Sequence, residues 1–194
     1  MAEHGTLYLV SSSNDSSVFV EVAERRLFRQ YKYFLSFGYF EGELHYSTNQ
    51  PENSRLTLNV DASSIRCPDQ RFRPGKQRRI AEFVRDFVLD SARHPFIQFC
   101  SHQVSAKALR GFTVEGTLTV CGATRAFKMN AIIVPKRAGS LEVEADSLFR
   151  LSDLGIQAPS YFLGIVKTSD QAMAQFRLTA TPVGTGDEPC EAQP

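Results

Sequence analysis

A chain of 194 residues, 42% of them hydrophobic and 11% aromatic, is long enough for one domain with a well-buried core, or at most two small ones. Its 22 lysines and arginines nearly cancel 21 aspartates and glutamates, so the net charge of +1 gives no general pull toward nucleic acid or an acidic surface. No apolar run approaches membrane-spanning length, and the start of the chain holds only the short run from Leu7 to Val10 with no basic flank before it, so no secretory signal peptide is visible and a soluble, cytoplasmic protein is expected.

Taken in order, Thr6 to Ser12 reads as a short strand ended by Ser11, Ser12, Ser13, Asn14 and Asp15, whose side chains capture nearby backbone and favour turns. Ser16 to Val22 is a second strand. Leu27 to Tyr46 is rich in aromatic residues and reads as a turn and then one long or broken strand, with Gly38 and Gly42 where a bend or bulge is needed. After a polar loop, Leu56, Leu58 and Val60 alternate with polar neighbours in another strand. The period then changes. Ile80, Phe83, Val84 and Phe87 fall at i, i+3, i+4 and i+7, the apolar stripe of a helix that must end before His94-Pro95 and that packs on the sheet or covers an end of it.

Strands resume at Ile97 and Phe99. Phe112, Val114, Leu118 and Val120 share one face of the next, and Phe127, Met129, Ala131 and Ile133 one face of its successor. The five residues Cys121 to Arg125 between them are too few for a parallel crossover, so the two pair as an antiparallel hairpin. Leu141, Val143, Ala145 and Phe149 continue the period, Ser152 to Asp170 is irregular, and Gln171 to about Val183 is a last strand with Ala172, Ala174, Phe176, Leu178 and Ala180 on one face. Residues 1–183 are thus expected to form one domain, and 184–194 a disordered tail. About eight evenly spaced strands with one substantial helix favour a mainly β fold, a closed antiparallel eight-stranded barrel that leaves no exposed edges, ahead of a sandwich.

Five segments carry a resemblance. They are Asp61-Ala62-Ser63-Ser64-Ile65, Arg79-Ile80-Ala81-Glu82-Phe83, His94-Pro95-Phe96-Ile97-Gln98-Phe99, Val114 to Thr124, and Ser152-Asp153-Leu154-Gly155-Ile156. In order and spacing they resemble the successive motifs of the YceI-like family of lipocalin-like, polyisoprenoid-binding bacterial proteins, over roughly Thr6 to Val183. The resemblance implies an elongated lipocalin-like barrel whose apolar interior holds the tail of a long isoprenoid, such as a quinone or polyprenyl lipid, without catalysis. Three positions depart from the family pattern, where histidine is usual: Asp15, Glu82 and Cys121 stand here. No export signal of the kind usual in the family is visible, so a periplasmic location is not expected.

The inward set Phe99, Phe112, Phe127, Phe149 and Phe176 either lines a ligand tunnel or fills the barrel as core. Strands of about ten residues, tilted about 40°, enclose an interior on the order of 25 Å long, which suits an extended chain. With the family's implication, the expected cavity wall is Phe99, Val114, Leu118, Phe127, Met129, Phe149 and Phe176, with Tyr161 and Phe162 of the irregular segment at a mouth. Arg71, Arg73, Lys76, Arg78 and Arg79 read first as a solvated loop; otherwise they hold an anion, a lipid phosphate or a membrane surface, with Arg78 and Arg79 as headgroup contacts.

Other chemistries lack their signatures. The basic residues outside that run are dispersed among acidic ones and no RNA-binding motif accompanies them, so nucleic acid is not an expected partner. His4, His45, His94 and His102 show no ligand spacing, and Cys67, Cys100, Cys121 and Cys190 form no CxxC pair, so neither metal nor disulfide is expected. No GxSxG elbow, glycine-rich phosphate loop or HExxH is present, and no cofactor is implied. The expected function is non-catalytic binding, storage or transport of an isoprenoid or other long-chain lipid. The alternative is an enzyme or protein-interaction module on the same barrel with a side-chain-filled interior. Oligomeric state stays open, a homodimer included.

Overall fold

Period-two alternation builds most of the chain into strands, each turning one row of side chains inward. The computed structural model describes residues 5–13, 15–26, 29–107, 111–157, 160–161 and 166–183. In chain order, β1 (Thr6–Ser11) and β2 (Ser17–Arg26) lead to β3 (Arg29–Phe37), β4 (Phe40–Tyr46), β5 (Arg55–Asp61) and the two-residue β6 (Ile65–Arg66). Helix α1 (Pro74–Phe83) follows and runs directly into a π-helical turn, Val84–Val88. Then come β7 (Phe96–Ala106), β8 (Gly111–Val120), β9 (Ala123–Pro135), β10 (Leu141–Arg150), β11 (Ser160–Tyr161) and β12 (Val166–Pro182).

All the pairings are antiparallel, and they close. β2 pairs β3 while β1 pairs β4, so β1 with β2, and β3 with β4, act as two long interrupted strands lying side by side. β5, β7, β8, β9, β10 and β12 follow as successive neighbours, and β12 completes the ring by pairing both β2 and β1. The result is a closed eight-stranded antiparallel barrel with one helix, as the alternation predicts. Side chains mend both interruptions: Thr179 N–H donates to Ser16 Oγ (3.0 Å) beside the first, and Gly38 and Tyr39 N–H donate to Ser64 Oγ (3.2 and 3.1 Å) at the second.

Five local expectations are corrected. Gly42 is no bend but lies inside β4, where a Cβ would come within 2.3 Å of the Thr57 carbonyl oxygen, so glycine permits a close strand approach. The β8–β9 connection is two residues, not five: Cys121 (φ 49°) and Gly122 (φ 74°) make a tight turn with positive φ at both positions, and Val120 pairs Ala123. β12 starts at Val166, ahead of the expected Gln171, with a register shift between Thr168 and Ala172. In the helix, the wide π turn adds a residue to the repeat, so Val88 takes the inward place expected of Phe87, which is 79% exposed. Because α1 begins at Pro74, Lys76, Arg78 and Arg79 are helical and not part of a loop. The expected tail, 184–194, lies outside the described residues.

Candidate functional site

The barrel is not filled by its own side chains. A cavity of about 800 Å³ runs through it, near the upper end of the range for ligand pockets. Its middle is walled by inward positions of the strands, Val18, Val20 and Leu35 on one side and Phe99, Val114, Leu118, Phe127 and Met129 on the other. Phe99 meets Phe127 edge-on at 6.2 Å between centroids, and Phe127 meets Phe149 likewise at 5.6 Å, so three rings form one continuous aromatic wall.

The two ends differ. At the end reached by the β8–β9 turn, helix α1 and its π turn lie over the barrel and contribute Lys76, Arg79, Ile80, Phe83, Val84 and Val88 to the lining. Cys121 anchors the helix end to that turn, its Sγ lying 3.5 Å from both the Val88 and Leu89 carbonyl oxygens. Leu151, Leu154 and Ile156, following β10, complete the wall there. At the opposite end Pro51, Ser54 and Arg55 lie across the opening, with the Arg55 guanidinium donating to the Glu52 and Ser54 carbonyls (3.1 and 2.7 Å).

Titratable side chains touch the cavity at its ends alone, among the described residues. Glu24, 7% exposed and in register opposite Thr168, joins Lys76 and Arg79 at the helix end. Beside them is a cation-and-aromatic cluster. Lys76 Nζ sits 3.9 Å over the Phe72 ring, which stacks on Tyr33 at 5.4 Å, while the Arg71 guanidinium lies over both Phe72 and Phe34. Arg71 also hydrogen-bonds Asp69 through Nε at 2.8 Å and holds that carboxyl below the usual carboxylate range. Burial pushes the Cys67 and Cys121 thiols up, which keeps them protonated and unreactive, and Cys100 lies exposed on β7. No three His, Cys, Asp or Glu side chains converge as a metal site among the described residues, and no described helix is long and apolar enough to cross a membrane.

Of the side chains expected from the sequence, Phe99, Val114, Leu118, Phe127, Met129, Phe149 and Phe176 all border the cavity. The Tyr161 side chain and the whole of Phe162 lie outside the described residues. Arg79 borders the helix end of the cavity, whereas Arg78 is exposed and does not. Lys76, three residues before Arg79, is the cation that shares its side of the helix. Sequence reasoning missed the contribution of β2 and β3, although Val18, Val20, Val22 and Tyr33, Leu35, Phe37 alternate as clearly as the later strands. It also missed Glu24, the next position of the inward row Val18, Val20 and Val22, because the expected strand ends at Val22 whereas β2 continues to Arg26.

A family model described as the YceI-like domain matches residues 10–180. The chain belongs to the YceI-like family. Solved structures agree on the fold. BcnA of Burkholderia cenocepacia superposes with a TM-score of 0.69 at 15% identity, covering 84% of this chain and 96% of that one. A polyisoprenoid binding domain from Saccharophagus degradans, implicated in plant cell wall breakdown, gives 0.60 at 14% identity over 92% and 99% of the two chains. The Campylobacter jejuni YCEI protein gives 0.62 at 14% identity over 77% and 84%. No curated protein matches the chain. The YceI-like barrel is therefore retained where six residues in seven differ, since the pattern of inward apolar positions can be met by many side chains.

Proposed function

We propose that this YceI-like protein binds, and so stores or carries, a long-chain isoprenoid or similar amphipathic lipid with its tail inside the barrel, and that it does so without catalysis. The observation that carries this is the continuous apolar cavity of about 800 Å³ with its titratable groups confined to the ends. Catalysis requires polar groups converging on a reacting atom, whereas the middle of this cavity presents side chains that can only exclude water. An apolar tail needs no more. Each buried methylene contributes up to about 0.8 kcal/mol before ordering costs, so a few isoprene units suffice for micromolar binding. Selectivity along the tail is accordingly loose, and the polar end of the ligand is placed by Lys76 and Arg79 at the helix end. The description of the Saccharophagus degradans relative as polyisoprenoid binding supports the same class of ligand.

The test is organic extraction of the purified protein followed by mass spectrometry. A polyprenyl, quinone or related long-chain lipid is expected from the wild type. Leu118→Arg places a charge against the apolar wall, where it is tolerated only if water enters, and should yield no lipid while keeping its β-sheet circular dichroism. A wild-type protein that yields no lipid and binds no fluorescent long-chain probe would sink this function.

A further inference from the structure

We propose that the helix end of the barrel is a docking surface for an anionic lipid bilayer, with α1 laid against the headgroups and Phe87 entering the interface. One stripe of the helix carries the argument. Lys76, Arg79, Phe83 and Phe87 follow one another at spacings of three and four, and the first three border the cavity. Phe87 is the next step along that stripe. The π turn carries it clear of the barrel, 79% exposed, with its ring stacked on Phe83 at 5.6 Å. A large aromatic side chain held in solvent beside an apolar opening is what an interfacial contact uses and what a free surface disfavours.

Charge points the same way. The exposed cations Arg73, Lys76, Arg78 and Arg79 of α1 and its cap outnumber the two acids beside them, exposed Glu82 and buried Glu24. The neighbouring Arg85 is already neutralised by Asp86, 2.7 Å away. A chain of nearly balanced charge thus gathers a local excess of positive charge at one end of its barrel, on the element that borders its cavity. An anionic bilayer complements the cations, the aromatic ring and the apolar cavity lining beside them together, whereas a single-stranded nucleic acid, though able to stack a base on Phe87, has nothing to set against the apolar lining. The use of the contact rests on the lipid-binding function proposed above, since a water-insoluble tail would pass from bilayer to cavity at this end without crossing solvent; the contact itself does not rest on it.

Co-sedimentation with phosphatidylcholine vesicles, with and without phosphatidylserine, tests the surface. The wild type is expected to partition onto the anionic vesicles and to release as salt is raised. The double variant Arg73→Gln/Arg78→Gln removes two cations that do not touch the cavity and should lower partitioning on the order of twentyfold, about fivefold for each. Phe87→Ser should lower it several-fold, and both variants should bind a soluble short-chain apolar probe as the wild type does. Leu118→Arg should dock normally. Equal binding to neutral and anionic vesicles, no binding to either, or an unchanged double variant overturns the proposal, as does tighter retention on a single-stranded oligonucleotide than on anionic vesicles. Normal docking by a protein from which no lipid can be extracted would leave the surface standing and remove the cavity function instead.

Discussion

Asp69 has a side chain only 4% exposed, and Arg71, two residues on, meets it through backbone N–H and guanidinium together. In sequence Arg71 is one of five closely spaced cations, and such a run reads as solvated surface. The structure gives it a partner and two aromatic faces instead, because β3 supplies Phe34 and the Lys32 carbonyl from far away in the chain. Arg71→Gln leaves a buried carboxylate under-satisfied and should cost about 1–3 kcal/mol at neutral pH. The sign with pH follows from the lowered Asp69 pKa: the stabilisation is fully present above the ordinary carboxylate pKa near 4 and is lost as pH falls through the depressed value. Urea titrations of wild type and variant should therefore differ most at pH 6–7 and converge under strongly acid conditions. A gap that stays constant with pH would show that Arg71 acts through its packing on Phe34 and Phe72.

Among the elements, the helix departs furthest from its expected form. An uninterrupted α-helix would bury Phe87 with Ile80 and Phe83, whereas the π turn rotates the chain beyond it so that Val88 and Leu89 face the barrel. Phe87→Ala should accordingly change stability by less than about 0.5 kcal/mol, while Leu89→Ala should cost about 2–5 kcal/mol. The reverse order in urea midpoints would restore the straight helix. No composition marks this turn, since one residue added to a helical repeat leaves the same apolar residues in place and changes only where they point. The β8–β9 hairpin was legible in its strands but not in its turn. Thr124 and Arg125, which look like loop in sequence, are exposed residues of β9, and the Thr124 hydroxyl lies 2.8 Å from that of Thr119 on β8. Gly122 cannot be replaced freely, because besides its positive φ a Cβ there would lie 2.7 Å from the His94 ring.

For the whole molecule, an open cavity means that stability is linked to its occupant. A ligand at 100 times its dissociation constant adds about 2.7 kcal/mol to the folded state, which for a domain of this size raises the melting temperature by roughly 5–10 °C. Delipidated protein should melt lower than protein as purified, and a long-chain isoprenol should restore the difference in Phe149→Asp less than in wild type. Melting temperatures unchanged by delipidation and reloading would contradict an occupied barrel. What the sequence alone determined is the inward row of each strand, the order of the strands and the antiparallel barrel, because period-two alternation is a local property that any half-buried strand must display. The family motifs were legible because each is a short contiguous run, four of them at strands or turns and Arg79 to Phe83 within α1. Only the tertiary structure decided that the interior is hollow, that Lys76 and Arg79 stand at its mouth while Arg78 does not, and that Glu24 joins them. Those facts depend on the barrel's diameter, on the register with which β12 closes against β1 and β2, and on the rotation of one helix over the end, all of which arise between residues distant in the chain.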